Sequence, residues 1–577
     1  ESSGTALKEV IGIGKGTVTL QDVEQTDLIV ICGQNPGTNH PRMLTSLEKT
    51  KQHGGVIVAV NPMPEAGLLR FRNPQTAKGL LTKGTPLADD YLPIRLAGDQ
   101  MLFLGVGKLL LEAEELNPGT VLDHDFIANY TDGFEAYSAT ARQASWDVIE
   151  EGSGLTRAQI GKLADRIMAA NSVIIAWAMG LTQHKRSVPT IREVTNVQLL
   201  RGNIGRPGAG LLPVRGHSNV QGDRTMGIFE KMPPAFLDKL AAEFHFEPAR
   251  EPGWDSVNAV AAMRDGKARV LISLGGNLVR AISDTNVAEK AMTKLDLTVS
   301  IATKLNRSHL VTGDVALILP TLGRTERDLQ KSGLQQVTVE DSMGAVHATR
   351  GVLPPASTDL RSEISIICGL ANRTLGKRVP IEWEPMANDY GVIRDHIGNV
   401  IPGCEDYNAK IAQPAGFLLP HPPRDERRFA TETQKARFTV NDINTVRIPP
   451  GRLLLQTVRS HDQFNTTIYS NEDRYRGIHD SRRVVLVNPE DLAELGLTDG
   501  EHVDVFSEWT DDVERCLRDY RLVSYPTSRQ CAAAYFPEAN VLVPLESVAE
   551  GSNTPTSKSV IIRLERHLAP AAATITA

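Results

Sequence analysis

The stretch from Leu200 to Gly227 constrains the fold more than any other part of the chain. Its glycines and prolines exclude a regular helix or strand, yet its apolar residues are too many for a solvated linker. We therefore predict a buried, ordered loop, with a surface Gly/Pro loop as the alternative. The arginines, asparagines and His217 between the glycines provide donors for phosphates, amides or an anionic substrate. The seven glycines are Gly202, Gly205, Gly208, Gly210, Gly216, Gly222 and Gly227, and the apolar residues are Ile204, Leu211, Leu212, Val214 and Val220.

The length and composition are those of a multidomain soluble protein. A chain of 577 residues predicts about three or four domains of ~150 residues each. The net charge of -7 without a strongly basic run argues against nucleic acid as a partner. The apolar runs, such as residues 173–179, are well short of the ~18 residues of a membrane helix, and the start does not resemble a signal peptide. We expect a cytoplasmic protein without a membrane span.

The cysteines are few and far apart. Cys32, Cys368, Cys404, Cys516 and Cys531 form no Cys-x-x-Cys pair, which indicates a reducing compartment. No disulfide framework, zinc site or iron-sulfur site is expected within these residues, and we name no metal ligand among them.

Two strands near the start end in polar loops. The buried runs 28–33 and 56–60 flank a helix over 42–52, which is the pattern of a parallel unit. Ligands bind at the carboxyl ends of such strands, although any doubly wound domain has polar loops there. The candidates at these ends are Gly33, Asn35, Pro36, Asn39, His40, Asn61 and Pro62.

The alternation of strand and helix continues to residue 319. A strand over 172–177 ends in a loop with Gly180, Thr182 and Gln183, and a helix over 189–200 leads into the central loop. Strands over 270–274, 297–303 and 315–319 repeat the pattern. Periodicity alone allows two Rossmann-like domains for NAD, but no Gly-x-Gly-x-x-Gly with an acidic residue ~20 positions later follows a strand, which weakens that reading.

The last third changes character. Residues 377–446 are rich in proline and charge and predict a connecting span over the surface. From residue 451, short strands over 453–458, 484–487, 503–506, 540–544 and 559–564 are separated by Gly or Asp turns, which predicts a barrel.

The motif Asn203-Ile204-Gly205-Arg206-Pro207-Gly208-Ala209-Gly210, followed by residues 214–222, resembles the molybdopterin oxidoreductases, the superfamily of formate dehydrogenase and periplasmic nitrate reductase. The chain is most similar to the formate-dehydrogenase-like branch associated with acid resistance. It departs from formate dehydrogenases at His217, where they usually carry Gln, and at Asn61, where an aspartate is commoner.

The resemblance implies a bis(molybdopterin guanine dinucleotide) molybdenum cofactor. It implies that the first two strand-end loops contact the dinucleotide, that Gly180, Thr182 and Gln183 line the pterin pocket, with Gly216 nearby, and that Gly276, Asn277 and Thr303 hold the second dinucleotide. The cofactor-facing positions of the barrel would be Arg459, His461, Gln463, Asn465, Thr466, Thr467, Asn540 and Lys558.

The resemblance also implies the fold class and a division of the chain. The fold is α/β, with Rossmann-like dinucleotide-binding lobes built on parallel sheets and a C-terminal six-stranded double-psi β-barrel. Residues 1–95 and 320–375 would form the first lobe, 96–319 the second lobe with the central loop, 376–450 the connecting span and 451–577 the barrel.

Two residues of the central loop are candidates for catalysis. The guanidinium of Arg215 can hold a carboxylate with two hydrogen bonds beside the metal, and His217 can accept or relay a proton near neutral pH. We expect an oxidoreductase of the formate dehydrogenase type, with a small anionic substrate such as formate and an electron-transfer partner. The alternatives are a non-catalytic cofactor-binding stress protein and an NAD-linked dehydrogenase.

Members of this superfamily carry an iron-sulfur segment and a Cys or selenocysteine metal ligand before a His-x-Ser-Ser-Gly segment. Here Ser2-Ser3-Gly4 matches the end of that segment. We expect the metal ligand to lie before Glu1. One 4Fe-4S cluster is expected in the full-length protein but not ligated by this chain, which by itself would bind the dinucleotide arms without turnover.

Overall fold

The structure is a computed structural model that describes residues 1–568. Residues 569–577, the end of the predicted barrel segment, lie outside the described residues. None of the helices within residues 1–568 is long and apolar enough to cross a membrane.

A five-stranded parallel sheet forms the centre of the first half of the chain. Its strands are β1 (Leu28–Cys32), β2 (Val56–Val60), β3 (Asp90–Leu92), β4 (Val173–Trp177) and β5 (Gly210–Pro213), in the order β3-β2-β1-β4-β5. Leu28 of β1 pairs with Val56 on one side and Val173 on the other. The side chains of β1 and β4 are all buried, as expected of strands covered on both faces.

Helices lie on both sides of this sheet. They include α1 (Ser2–Ile11), the short α2 (Pro36–Asn39), α3 (Met43–Gln52), the short α4 (Ala66–Leu69), α5 (Asp99–Leu116), α6 (Arg157–Ala169) and α7 (Ser187–Leu200). Residues of α1, α5 and α7 belong to one large apolar cluster with β1 and β4. Further helices span His124–Tyr130, Phe134–Gln143 and Trp146–Ser153.

The sheet corrects the predicted division at residue 96. Strands β4 and β5 were assigned to the second lobe, but β4 pairs with β1 and β5 pairs with β4. An apolar run indicates that a strand is buried, and it carries no information about which sheet the strand joins.

The central loop is also more regular than predicted. Gly210–Pro213 forms the edge strand β5, a position that tolerates Pro213 because an edge strand needs fewer backbone donors. Residues 220–225 form a short helix. Between them Gly216, His217 and Ser218 are exposed, whereas Gly202, Asn203 and Ile204 are buried as expected.

A buried glutamine anchors the start of this loop. The Gln198 Nε2 donates to the carbonyl oxygens of Val173 at 2.9 Å and Gly210 at 2.6 Å. The Asn203 Nδ2 donates to Gln198 Oε1 at 2.9 Å. One side chain at the end of α7 therefore connects two neighbouring strands and the loop that joins them.

A second parallel sheet has three strands, β6 (Val270–Leu274), β7 (Leu297–Ala302) and β8 (Val315–Pro320), in the order β8-β7-β6. Helices α8 (Ser256–Arg264) and α9 (Thr285–Met292) cover one face. The register places nine aliphatic side chains on the other face, and on β6 these are about half exposed. A hairpin of β9 (Val337–Glu340) and β10 (Ala345–Thr349) follows.

The span over 376–450 is not confined to the surface. It contains helices over Trp383–Asn388, Tyr390–Val400 and Tyr407–Ile411, after a helix over Glu363–Leu375. Phe429, Ala436 and Phe438 are buried in the cluster of the first sheet. These apolar residues attach the segment to the core of the first sheet. The many prolines of the segment interrupt the apolar pattern that would indicate buried helices or strands.

The last region is a closed six-stranded barrel, which confirms the predicted fold class. Its strands are β11 (Leu453–Val458), β12 (Val484–Val487), β13 (His502–Ser507), β14 (Arg515–Ser524), β15 (Cys531–Tyr535) and β16 (Val560–Arg566), in the order β11-β15-β12-β14-β13-β16. The predicted strand over 540–544 is wrong, because Glu538–Leu542 is a 3-10 helix. The strands β14 and β15 were not predicted, since one alternates with charges and the other is mostly alanine.

Candidate functional site

A cleft lies where the carboxyl ends of β1, β2 and β4 face strand β11 of the barrel. About 1000 Å³ of empty space, part of it open to solvent, lies between these elements. Ten of the predicted site residues line it: Gly33, Asn35, Asn39, His40, Asn61, Pro62, Gly180, Gly216, Arg459 and Lys558.

Two glycines allow the first loops to meet. Gly33 has a φ of +55°, and a Cβ on it would lie 2.6 Å from the Cα of Gly180. A Cβ on Gly180 would likewise meet the Gly33 Cα. No larger residue fits at either position, so bare backbone from two loops forms this part of the cleft.

Asn61 holds the loop after β1 in place. Its Oδ1 accepts from the Gln34 backbone N–H at 3.1 Å, and its Nδ2 donates to the Gln34 carbonyl oxygen at 3.1 Å. An aspartate could not donate the second bond. The departure from the commoner residue therefore has a structural role here. Asn35 Oδ1 in turn accepts from Thr38 N at the start of α2, where Pro36 occupies the first position.

His40 connects the cleft to the central loop. Its Nε2 donates to the carbonyl oxygen of Arg215 at 2.9 Å, and its Nδ1 accepts from Gln34 Nε2 at 3.3 Å. Burial lowers the pKa of His40, so the neutral ring with its proton on Nε2 satisfies both contacts. Gln34 Oε1 is buried with no partner among the described residues.

Two cations from the barrel enter the cleft. The Arg459 guanidinium makes no hydrogen bond or ion pair within residues 1–568, and its closest aromatic neighbour is the Phe536 ring at 5.5 Å. Lys558 Nζ donates to the Thr457 carbonyl oxygen. Burial, followed by the charges of Arg459 and Arg476, lowers the pKa of Lys558 to about 7. An anion bound beside them would stabilise both positive charges.

A third cation beside the cleft, Arg476, is already paired with carboxylates. Arg476 Nη2 donates to Glu65 at 3.1 Å and its Nη1 donates to Asp473 at 2.8 Å. Asn35 Nδ2 also donates to Glu65 at 2.6 Å, and Tyr535 donates to Asp473 at 2.8 Å. Burial opposes the charge on Arg476, but the two carboxylates raise its pKa above the ordinary value. This network attaches the barrel to the first sheet.

Asp99, at the start of α5, is a cleft residue that sequence reasoning missed. Its carboxylate is buried, and Oδ1 has no partner among the described residues. Burial raises the pKa of Asp99 to about 7. Sequence reasoning also missed Glu65 and Arg476, because each lies in a segment whose apolar residues show no periodic pattern. An acidic residue in the first turn of a helix after a strand-end loop was the one available hint for Asp99.

The structure separates the two predicted catalytic residues from each other. Arg215 Nη2 donates to the Gly14 carbonyl oxygen at 2.9 Å, and its Nε is buried with no partner within residues 1–568. The next residue, Gly216, lines the cleft, whereas the Arg215 side chain does not. His217 is exposed at the rim and hydrogen-bonds the Asn465 side chain. The surrounding protein, followed by the charge of Arg459, lowers the pKa of His217.

Several predicted residues have structural contacts outside the cleft. The carbonyl oxygens of Thr182 and Gln183 accept from Ser2 Oγ and Lys558 N. Asn277 Oδ1 accepts from Ser308 Oγ, and Asn540 Nδ2 donates to the Arg280 carbonyl oxygen. Gln463 Oε1 accepts from Ser460 N.

The remaining predicted residues are described by their positions. Gly276 and Thr303 lie at the carboxyl ends of β6 and β7, whereas Thr466 is buried and Thr467 exposed in the barrel loop. His461 lines a neighbouring groove.

No group of three or more His, Cys, Asp or Glu side chains within residues 1–568 is arranged to hold a metal ion.

Comparisons with known proteins match both halves of this site. The model of the molybdopterin oxidoreductase family matches residues 12–373, and that of the molydopterin dinucleotide binding domain matches residues 453–561. An uncharacterised oxidoreductase of Mycobacterium tuberculosis is 56% identical over 569 residues, which cover 98% of this chain and 73% of that protein. Protein YdeP of Escherichia coli is 42% identical over 576 residues, 98% of this chain and 76% of YdeP.

More distant matches extend the comparison. Formate dehydrogenase H of Escherichia coli is 26% identical over 306 residues, 52% of this chain and 40% of that protein. The solved structure of acetylene hydratase from Pelobacter acetylenicus aligns with a TM-score of 0.68 at 15% identity, over 98% of this chain and 80% of that one. At this identity the structural likeness concerns the fold alone.

Proposed function

The chain belongs to the molybdopterin oxidoreductase family, and on that basis we propose that it carries out a two-electron oxidation or reduction of a small anion, with formate as the first candidate. The reaction takes place at molybdenum held by two molybdopterin guanine dinucleotides, and an electron-transfer partner completes the cycle. The match to formate dehydrogenase H, although distant at 26% identity, supports the choice of formate.

The observation that carries this proposal is the donor set of the cleft. Arg459 and Lys558 face glycine-lined loops at the ends of β1 and β4, which suits the phosphates of a dinucleotide arm. Gln34 Oε1 and Asp99 Oδ1 are buried acceptors without partners in the described residues, and a pterin or guanine offers N–H donors for such atoms. The residues present therefore fit the cofactor.

When bound, the cofactor supplies a centre that exchanges two electrons. The protein contributes binding, orientation and proton transfer. Arg459 and Lys558 hold phosphate oxygens, while Gly33 and Gly180 let the backbone approach the ligand.

The proton and charge roles fall on the central loop. His217, whose lowered pKa leaves the imidazole neutral at pH 7, accepts the proton that the substrate releases. Arg215 uses one nitrogen on Gly14 and keeps the other guanidinium N–H groups for an anionic substrate.

Cofactor content tests the proposal directly. We expect Arg459→Gln and Lys558→Met to lower the molybdenum and pterin bound per chain at least tenfold, because each removes a charge-assisted contact. The measurement is metal analysis and pterin fluorescence of the purified protein, together with dye-linked formate oxidation. Arg373→Gln is the matched control, since Arg373 lies exposed on the helix Glu363–Leu375. Undiminished cofactor in both cleft variants would refute the donor set.

One observation favours a second candidate, a cofactor-binding protein without turnover. The Arg215 side chain does not line the cleft, whereas the first proposal needs its charge beside the substrate. In the full-length protein, stoichiometric molybdenum and pterin with no oxidation of formate or other small anions would support this candidate. Sustained formate oxidation would exclude it.

A further inference from the structure

A second cavity lies behind the loops of the cofactor cleft, on the outer side of α2 and α4. We call it the arginine groove, because Arg42, Arg70 and Arg72 all line it. It has about 1150 Å³ of empty space and shares none of its lining residues with the cofactor cleft. His461, which the sequence assigned to the cofactor, lines this groove instead.

The charge of the groove is unbalanced. No carboxylate lines it, and none of its three arginines makes an ion pair within residues 1–568. Arg70 and Arg72 each donate one bond of 3.3 Å to a backbone carbonyl oxygen, and the Arg42 side chain makes no hydrogen bond within the same range. All three side chains are exposed, so their guanidinium groups can turn toward a ligand.

The nearby carboxylates are engaged elsewhere. Glu48 accepts from Asn73 Nδ2 and Thr85 Oγ1, both at 2.8 Å. Asp462 pairs with Arg474 at 3.5 Å. Neither lines the groove, which leaves the three positive charges without a counter-ion from residues 1–568.

Glycines form part of the groove wall. A Cβ on Gly37 would lie 2.8 Å from the Cα of Gly67, and one on Gly67 would lie 2.5 Å from the Cα of Gly37. Both glycines line the groove. The two glycines therefore let α2 and α4 pack directly against each other, which fixes this wall of the groove.

An aromatic pair closes one end. The rings of His461 and Tyr475 have centroids 3.7 Å apart, and Tyr475 is 44% exposed. The His461 side chain is 10% exposed, and its Nε2 accepts from Arg474 Nη2 at 2.8 Å. The neutral ring then carries its proton on Nδ1, which is buried without an acceptor in the described residues.

We propose that the arginine groove binds a diphosphate-bearing nucleotide, separately from the cofactor cleft. Guanidinium groups form paired hydrogen bonds with phosphate oxygens, and three of them match the charge of a diphosphate. His461 and Arg474 lie over the Tyr475 ring, and the part of the ring that stays exposed gives a base a surface on which to stack. The inference does not depend on the proposed function, since the two sites share no residue.

Calorimetric titration of the full chain with pyrophosphate and with guanosine and adenosine diphosphate tests the proposal. We expect Arg42→Gln and Arg70→Gln each to weaken diphosphate binding roughly tenfold, the effect of losing one charged contact. Tyr475→Leu should weaken nucleotide binding and leave pyrophosphate binding unchanged. Arg373→Gln serves as the surface control, and thermal melting verifies that each variant is folded.

Arg459→Gln separates the two sites. We expect it to leave nucleotide binding intact, whatever it does to the cofactor. Nucleotide binding lost in Arg459→Gln but retained in Arg42→Gln and Arg70→Gln would put the ligand in the cofactor cleft and overturn the proposal. Binding of pyrophosphate and nucleotides only at concentrations of about 10 mM, where weak ion pairing suffices, would overturn it as well.

Discussion

His184 follows the strand-end loop of β4 and is fully buried, with no partner in the described residues for either ring nitrogen. Burial lowers the pKa of His184 to about 4, against an unfolded value of about 6.5. The unfolded chain therefore binds this proton more readily, and the stability linked to His184 is lost as the pH falls from about 6.5 toward 4.

We expect His184→Leu to change the free energy of unfolding by less than about 1 kcal/mol at pH 7.5. At pH 5 the variant should be more stable than the wild type by about 2 kcal/mol, because it has no proton to take up on unfolding. Urea unfolding at both pH values measures the difference, which isolates His184 from other titrating groups. A difference that does not change with pH would show that the ring is hydrated or paired.

His217→Gln tests the proton-transfer role. Because the pKa of His217 lies below the ordinary imidazole value of about 6.5, activity of the full-length wild-type protein should persist at pH 6.5 and fall only at lower pH, where the ring becomes protonated. The variant, which has the residue usual in formate dehydrogenases, should lose this acidic limb while it keeps its folding and its cofactor. The pH profile of kcat/KM checks this. Identical profiles across substrates would assign His217 a structural role.

Most cleft residues that the sequence predicted come from the ends of parallel strands. Gly33, Asn61 and Gly180 were found because apolar runs stop at them and the ends of parallel strands converge. Asp99, Glu65 and Arg476 were not, since only the fold brings them together. Arg476 and Glu65 are 411 positions apart in the sequence. A local sequence pattern cannot predict a contact between residues so far apart.

At the scale of elements, the central loop depends on the anchor at Gln198. Gln198→Leu removes two donors to backbone carbonyls and leaves the Asn203 amide without its acceptor. We expect a loss of about 2–4 kcal/mol in the free energy of unfolding. The matched control is Gln143→Leu, an exposed glutamine, which should cost less than about 0.5 kcal/mol. Denaturant unfolding compares them, and equal midpoints would mean that the loop is held by other contacts.

The sequence predicts the bounds of single strands and helices better than it predicts which strands join the same sheet. Strands β1, β2 and β4 and helix α3 lie within one or two residues of the predicted bounds, because apolar periodicity is a local signal. The sequence did not indicate which sheet β4 joins, and it did not predict β5 as a strand, since pairing is a property of the whole chain. Strand β15 reads Cys-Ala-Ala-Ala-Tyr and lacks the branched residues that indicate a strand.

At the scale of the whole molecule, one buried ion pair joins the second sheet to the barrel. Arg515 donates to Asp284 Oδ2 at 2.8 and 3.0 Å, and both side chains are almost fully buried. Asp284→Ala should cost about 3 kcal/mol, because the remaining guanidinium keeps only the partly exposed Asp511 and the Val513 carbonyl oxygen as partners among the described residues.

The double variant Asp284→Leu with Arg515→Met should recover most of that loss, since no charge is left buried. Glu514→Ala, which breaks an exposed pair with Arg518, is the control and should change stability by less than about 1 kcal/mol. Calorimetric unfolding distinguishes them. A double variant as unstable as Asp284→Ala would show that packing, and not charge, holds the barrel to the sheet.

The family predicted from residues 203–222 is confirmed by the match over residues 12–373. The motif sufficed because most of its glycines adopt positive φ values or approach other backbone closely, which larger residues rarely do. The uncovered apolar face of the second sheet could not be predicted in this way, since its strands read like any buried strands.

The contact between Gly33 and Gly180 has a consequence for how sequences of this fold can vary. At each position a side chain would collide with the backbone of the other, and neither residue can become smaller than glycine. A substitution at one position has no compensating substitution at the other. The two positions are therefore in direct contact and yet carry no covariation, so methods that infer contacts from correlated changes between homologues would miss this approach at the centre of the cleft.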